Sequence, residues 1–181
     1  MEKRLTLKIS KTDAAKRQLE TAIRLWFFSQ DPVSTHTLAA AANQILHDIG
    51  KKRNSPSMLR NLQCVRPEYE TKVREAVSRY ENFFKHADKD PDGLLDFNPD
   101  ATQMYLLDSV LTYQNLTQEV TSIFGAFKIW MFIKFPELMD AEVQEKMKQM
   151  QNGNQIDIGQ MPKADFFTSF ISSNLKQGMN I

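Results

Sequence analysis

Between Glu119 and Phe135 the chain has almost no polar side. On a helix over this stretch, Ile123, Phe124, Phe127, Ile129, Trp130, Met131, Phe132 and Ile133 fall all round. Such a helix is buried at the centre of a bundle or against another subunit. It is not a membrane span, because Ile123 to Phe135 is too short to cross a bilayer and carries Lys128 and Lys134. The rest of the chain, or a second subunit, must therefore cover it. The 181 residues include only 6 glycines and 7 prolines, which favours helices over a turn-rich β fold. With 41% of residues hydrophobic, an ordinary core is within reach for one domain, or one domain plus an arm.

Charge narrows the function classes. Lys and Arg number 23 against 22 Asp and Glu, so no global field steers the chain to nucleic acid or a membrane, and RNA binding would need a local patch. Cys64 is alone, which excludes a disulfide framework and a thiolate zinc cluster and reads as an incidental thiol in a reducing compartment. Residues 1–10 lack the continuous apolar core of a secretory signal. The Asn115-Leu116-Thr117 sequon then has no meaning, and the chain reads as cytoplasmic.

Leu5, Leu7 and Ile9 alternate with polar residues, as in a short strand or extended arm. Thr12 or Asp13 can cap a first helix bearing Leu19, Ala22, Ile23, Trp26 and Phe27, which Asp31-Pro32 ends. Ser34 can cap the second, with Leu38, Ala41, Ala42, Ile45 and Ile49 inward and Gly50 as its stop. The alanines from Ala39 to Ala42 allow close approach of a neighbouring helix. Lys51 to Arg66 is a basic connector. A third helix runs from Pro67 to about His86, and a fourth begins near Asn98-Pro99 or Asp100 with Leu106, Leu107, Val110 and Leu111 inward. Pro136 begins a charged helix to about Gln151. Asp165 to Lys176 carries Phe166, Phe167, Phe170, Ile171 and Leu175 on one side, a helix that must dock on its own bundle or on a partner. The expected architecture is an all-α bundle of five to six helices over residues 1–151, then a linker and C-terminal amphipathic helix over 152–181.

The densest chemistry lies at the end of the third helix. Glu75, Arg79, Asn82 and His86 share one stripe, opposite Val73, Ala76, Val77, Tyr80, Phe83 and Phe84. A guanidinium suits phosphate oxygens and an imidazole moves a proton near neutral pH, with Asn82 placed to orient that ring or bind a base edge. Together they suit metal-free RNA cleavage. The competing reading is an i, i+4 pair between Glu75 and Arg79, with His86 closing the helix against its dipole.

An Arg followed by six residues and a His, near a helix end in a small all-α bundle, resembles the signature of HEPN domains. The resemblance implies a dimer in which two copies of the motif meet. It also implies metal-independent ribonuclease activity of the kind found in toxin–antitoxin and antiviral systems, or nucleotide binding without cleavage. It assigns Arg79 and His86, with Asn82 as a helper, and no cofactor. The segments DPVSTHTLAAAANQILHDIGKKR, ENFFKHADKDP and LDFNPDATQMYLLD resemble a group of uncharacterised bacterial helical proteins over roughly residues 14–140, centred on ENFFKHAD.

Other readings remain open. His47-Asp48-Ile49-Gly50-Lys51 resembles the metal-binding element of HD-type phosphohydrolases, with His36 on the same helix as a further ligand. If the second and third helices lie antiparallel, His36, Asn43, Asn82 and His86 form a polar pocket for a nucleotide or metal ion. Asp88, Asp90, Asp92 and Asp96 open like an EF-hand loop, but Pro99 stands where the bidentate Glu belongs, so a tight turn capped by its own aspartates competes. Lys51, Lys52, Arg53, Arg60 and Arg66 make either an RNA footprint or a solvated loop. The alternative to RNA chemistry is a non-catalytic module that dimerises through the fifth helix or the C-terminal segment, or takes a protein partner there.

Overall fold

The computed structural model describes residues 6–61, 65–142, 144–145 and 158–176. Cys64 lies outside them. Among the described residues six α-helices follow in order: α1 (Lys11–Phe27), α2 (Pro32–Lys52), α3 (Pro67–Lys85), α4 (Ala101–Thr117), α5 (Ser122–Lys134) and α6 (Lys163–Lys176). The described residues contain no strand, and residues 6–10 form an exposed irregular arm rather than the alternating strand considered above. No described helix is long and apolar enough to cross a membrane. The fold is an all-α bundle.

The helix starts are set by side-chain caps. Ser10, not Thr12 or Asp13, caps α1: its hydroxyl accepts from the Asp13 amide at 3.0 Å, and Asp13 reaches back to the Ser10 amide, a reciprocal capping box. Asp31 caps α2 by accepting from the Ser34 amide at 2.7 Å, while Pro32 opens the helix at no hydrogen-bond cost. Gly50 does not stop α2, which continues to Lys52. The glycine is there because the chain doubles back over it. A Cβ at Gly50 would lie 2.1 Å from the Ser55 carbonyl oxygen. Pro136 opens a short 3-10 turn, Pro136–Leu138, and the charged helix expected beyond it falls mostly outside the described residues.

The core sits between α1, α2, α4 and α5. Ala15, Leu19, Ala22, Ile23 and Phe27 give α1 a wholly buried stripe. It packs along α2, where buried Ala39, Ala40 and Ala42 permit close approach. The buried face of α2 is turned from the expected one. Thr35, His36, Asn43 and Leu46 point inward, while Leu38, Ala41, Ile45 and Ile49 are only half-buried. On α5, Ile123, Phe124, Ala126, Phe127, Trp130 and Met131 are buried within the chain itself. Helix α6 docks on the same bundle. Phe167 stacks on Phe27 at 4.6 Å between centroids, and Phe166 meets Trp130 at 5.1 Å. The apolar surfaces of α5 and α6 that could have met a second molecule are thus largely used internally.

Candidate functional site

Helix α3 leans on the bundle through its polar residues as much as its apolar ones. Its only buried residue is Glu81. That carboxylate receives the Arg60 guanidinium at 2.5 Å, with Lys85 further off at 3.9 Å. The Arg60 Nε donates to Asn43 Oδ1 at 2.6 Å. Asn43 in turn donates to Asp108 Oδ2 at 2.6 Å and to Ser109 at 3.1 Å. Asp108 also accepts from the Ser57 hydroxyl at 2.5 Å, the Met58 amide at 2.8 Å and the Leu59 amide at 3.3 Å. One carboxylate on α4 thereby caps the turn that Ser57 starts in the connector, and that turn sends Arg60 inward to α2 and α3. Arg60 is therefore an internal tie and not part of a solvated basic footprint. Its partner Glu81, and Asp108 behind Asn43 in the same network, escaped the sequence reading. The signal for Asp108 is an acid set between Leu107 and Val110 in an otherwise inward helix.

His36 is fully buried and ringed by Tyr80, Phe84, Phe97 and Tyr105, with centroids 4.9–5.8 Å away. Its Nδ1 pairs with the Thr102 hydroxyl at 3.0 Å, while Nε2 has no partner. Burial lowers its pKa to about 4; Glu81 opposes the shift, and Lys85 and Arg60 add to it. The unfolded chain takes up a proton here near pH 6.5 and the folded chain only near 4. The His36 contribution to stability is therefore full above the unfolded pKa and is lost as pH falls toward the folded one, by about 3 kcal/mol in all. Denaturant midpoints measured from pH 7.5 to 4.5 should fall, and His36→Phe should flatten that fall. An unchanged slope in the variant would assign the loss to other groups.

On the outer side of α3, Arg79, Asn82 and His86 line one cavity of about 600 Å³ with Phe83 and the returning loop. Their placement follows from helical spacing: Arg79 and His86 lie seven residues apart, about 10 Å along the axis and nearly on one line. Helix α3 ends at Lys85, and His86 takes the C-cap position with its amide on the Asn82 carbonyl at 3.0 Å. The loop after it is anchored by Phe97, which packs on Tyr80 and Phe84, so that Asp88, Lys89, Asp90, Leu94 and Leu95 wall the cavity.

All three side chains are exposed, and none makes a side-chain hydrogen bond or ion pair among the described residues; the Arg79 guanidinium only overlies the Tyr80 ring, 6.0 Å from its centroid. Among the described residues the ion pairs of α3 run from Glu81 to Arg60 and Lys85, and the Glu75–Arg79 pair of the competing reading does not form.

The other constellations do not assemble. His36 and His47 stand eleven residues apart on α2, about 16 Å along its axis, and cannot share one metal ion. Among the described residues no group of three or more His, Cys, Asp or Glu could hold a metal, which also leaves Asp88 to Asp96 without a cation cage. That loop turns tightly, with the Gly93 amide on the Asp90 carbonyl at 2.9 Å. The pocket expected from His36, Asn43, Asn82 and His86 is divided, two residues being buried in the core and two exposed on the outer face. Comparison of the chain with protein-family models, curated proteins and solved structures found no match.

Proposed function

We propose that this chain is a HEPN-like bundle that binds RNA or a nucleotide in the outer groove of α3, with metal-independent RNA cleavage as its enzymatic form. The observation that supports this reading is that Arg79, Asn82 and His86 line one cavity while their side chains make no hydrogen bond or ion pair among the described residues. In the cleavage step, the imidazole of His86 takes the proton of a ribose 2′-hydroxyl. The 2′-oxygen attacks phosphorus, the bond to the 5′-oxygen breaks, and that oxygen leaves with a proton. Arg79 holds the phosphate oxygens as charge builds on them. A second copy, paired through its own groove, supplies the other imidazole for the leaving group. Asp88 and Asp90 offset Arg79 and Lys89, so binding depends on direct contact by the guanidinium rather than on a broad positive field.

A second reading, the non-catalytic interaction module, draws on Leu94, which is 99% exposed at the edge of the same cavity. Cleavage of a mixed-sequence RNA in excess chelator separates the two. The native protein should cleave, and His86→Ala should be slower by about 100-fold or more. No cleavage, or equal cleavage by both proteins, would overturn the enzymatic form.

A further inference from the structure

A second cleft lies between the end of α2 and the first half of α3, apart from the groove assigned to RNA. It consists of two hollows of about 540 and 200 Å³, both bounded by His47, Lys51, Arg60 and Arg74. The larger has no acidic lining residue among the described residues. In the smaller the only acid among the described lining residues is Asp48, which accepts from Gln44 at 2.9 Å. The cleft exists because the connector folds back tightly. Gly50 lets the Ser55 carbonyl sit against α2, and Asn54 adopts a left-handed φ of 55°, bringing Asn54 and Pro56 to the rim.

Its cations differ in how they are used. Arg60 is neutralised by Glu81 at 2.5 Å. Lys51 and Arg74 are exposed and have no side-chain hydrogen bond or ion pair among the described residues. They project from two different helices into one concavity. Beside them His47 is half-buried, with its Nδ1 buried and unpartnered. Its pKa is lowered, first by burial and then by Arg60 and Lys51, which outweigh Asp48 and Asp108. A positive field in a concavity whose larger hollow has no acid among its described lining residues favours binding of an anion.

We propose that this cleft binds a phosphate-type oxyanion, held between the Lys51 ammonium on α2 and the Arg74 guanidinium on α3. Two unpaired full charges suit a dianion better than a single carboxylate, and a guanidinium matches phosphate geometry through two parallel hydrogen bonds. The anion can belong to a free polyphosphate or to an RNA backbone, and the test separates these sources.

Inorganic pyrophosphate is titrated calorimetrically into the full chain at low ionic strength, and a single-stranded RNA 12-mer is followed by fluorescence anisotropy. The native chain, the K51Q/R74Q double variant and Arg79→Ala are compared. Both replaced cations of the double variant are exposed, so it keeps the fold. Pyrophosphate binding that weakens about tenfold or more in the double variant supports the cleft. The His47 titration midpoint should also rise when pyrophosphate is bound. If pyrophosphate does not bind but the double variant loses the 12-mer by about tenfold, the site stands and its anion is a backbone phosphate. Unchanged binding of both ligands in the double variant, or no binding of either by the native chain, overturns the cleft. Loss of the 12-mer in Arg79→Ala alone, with pyrophosphate binding unchanged in the double variant, would leave the α3 groove standing while this cleft fell.

Discussion

Replacing Asp108 with alanine should lower the unfolding free energy by about 4 kcal/mol. The buried carboxylate accepts from Asn43, from the Ser57 hydroxyl and from the Met58 and Leu59 amides. Alanine leaves those donors without an acceptor. Each buried orphan costs about 1–3 kcal/mol, but the total stays below the sum because water can reach part of the turn, where Met58 is 79% exposed. The loss extends beyond α4, since the same turn carries Arg60 to Glu81 and so holds α3. Asp108→Asn should fall in between: it keeps one acceptor oxygen for the turn amides but sets an NH₂ group against Asn43 and Ser57. Guanidinium denaturation gives the comparison. A loss below about 1 kcal/mol for the alanine variant would show that the network is dispensable.

Phe27→Ala should cost about 4 kcal/mol as well, by a different route. The Phe27 ring is fully buried where α1, α5 and α6 meet, with Trp26, Phe127, Trp130, Phe166 and Phe167 at centroid distances of 4.6–6.3 Å. Truncation loses the transfer free energy of the ring, opens a cavity between rigid helices and removes several edge and stacked aromatic contacts. Because Phe166 and Phe167 both pack on this ring, α6 should loosen first. Hydrogen exchange at residues 163–176 should accelerate more than at α2 or α4. Uniform acceleration would mean that α6 is not held mainly by Phe27.

The candidate groove was legible because it is local. Arg79, Asn82 and His86 lie within two turns of one helix, and helical spacing alone puts them on one face. The apolar character of α5 likewise announced its burial, which six buried side chains confirm. The inward face of α2 was not legible. Periodicity turns Leu38, Ala41, Ile45 and Ile49 inward and sets His36 and Asn43 at an open polar pocket toward α3, yet both are buried in the core. What permits this is a set of partners, Thr102, Asp108 and Ser109, 65 or 66 residues further on. No local pattern carries such a pairing. Gly50 misled for a related reason. A glycine late in a helical run ordinarily marks its end, whereas here it makes room for Ser55 from a chain that returns over the helix. Arg60, in a basic loop, carries no local mark of the buried Glu81 that receives it.

The central claim is that RNA phosphate is held by the outer groove of α3, and binding of a single-stranded RNA 12-mer across a salt series tests it most directly. Native protein and Arg79→Ala are compared by anisotropy. Removal of one phosphate-contacting guanidinium should weaken binding about tenfold and reduce the slope of log affinity against log salt by about 0.7. Equal affinity and equal slope in the two proteins would contradict the claim and leave the α3 groove without a role in RNA binding.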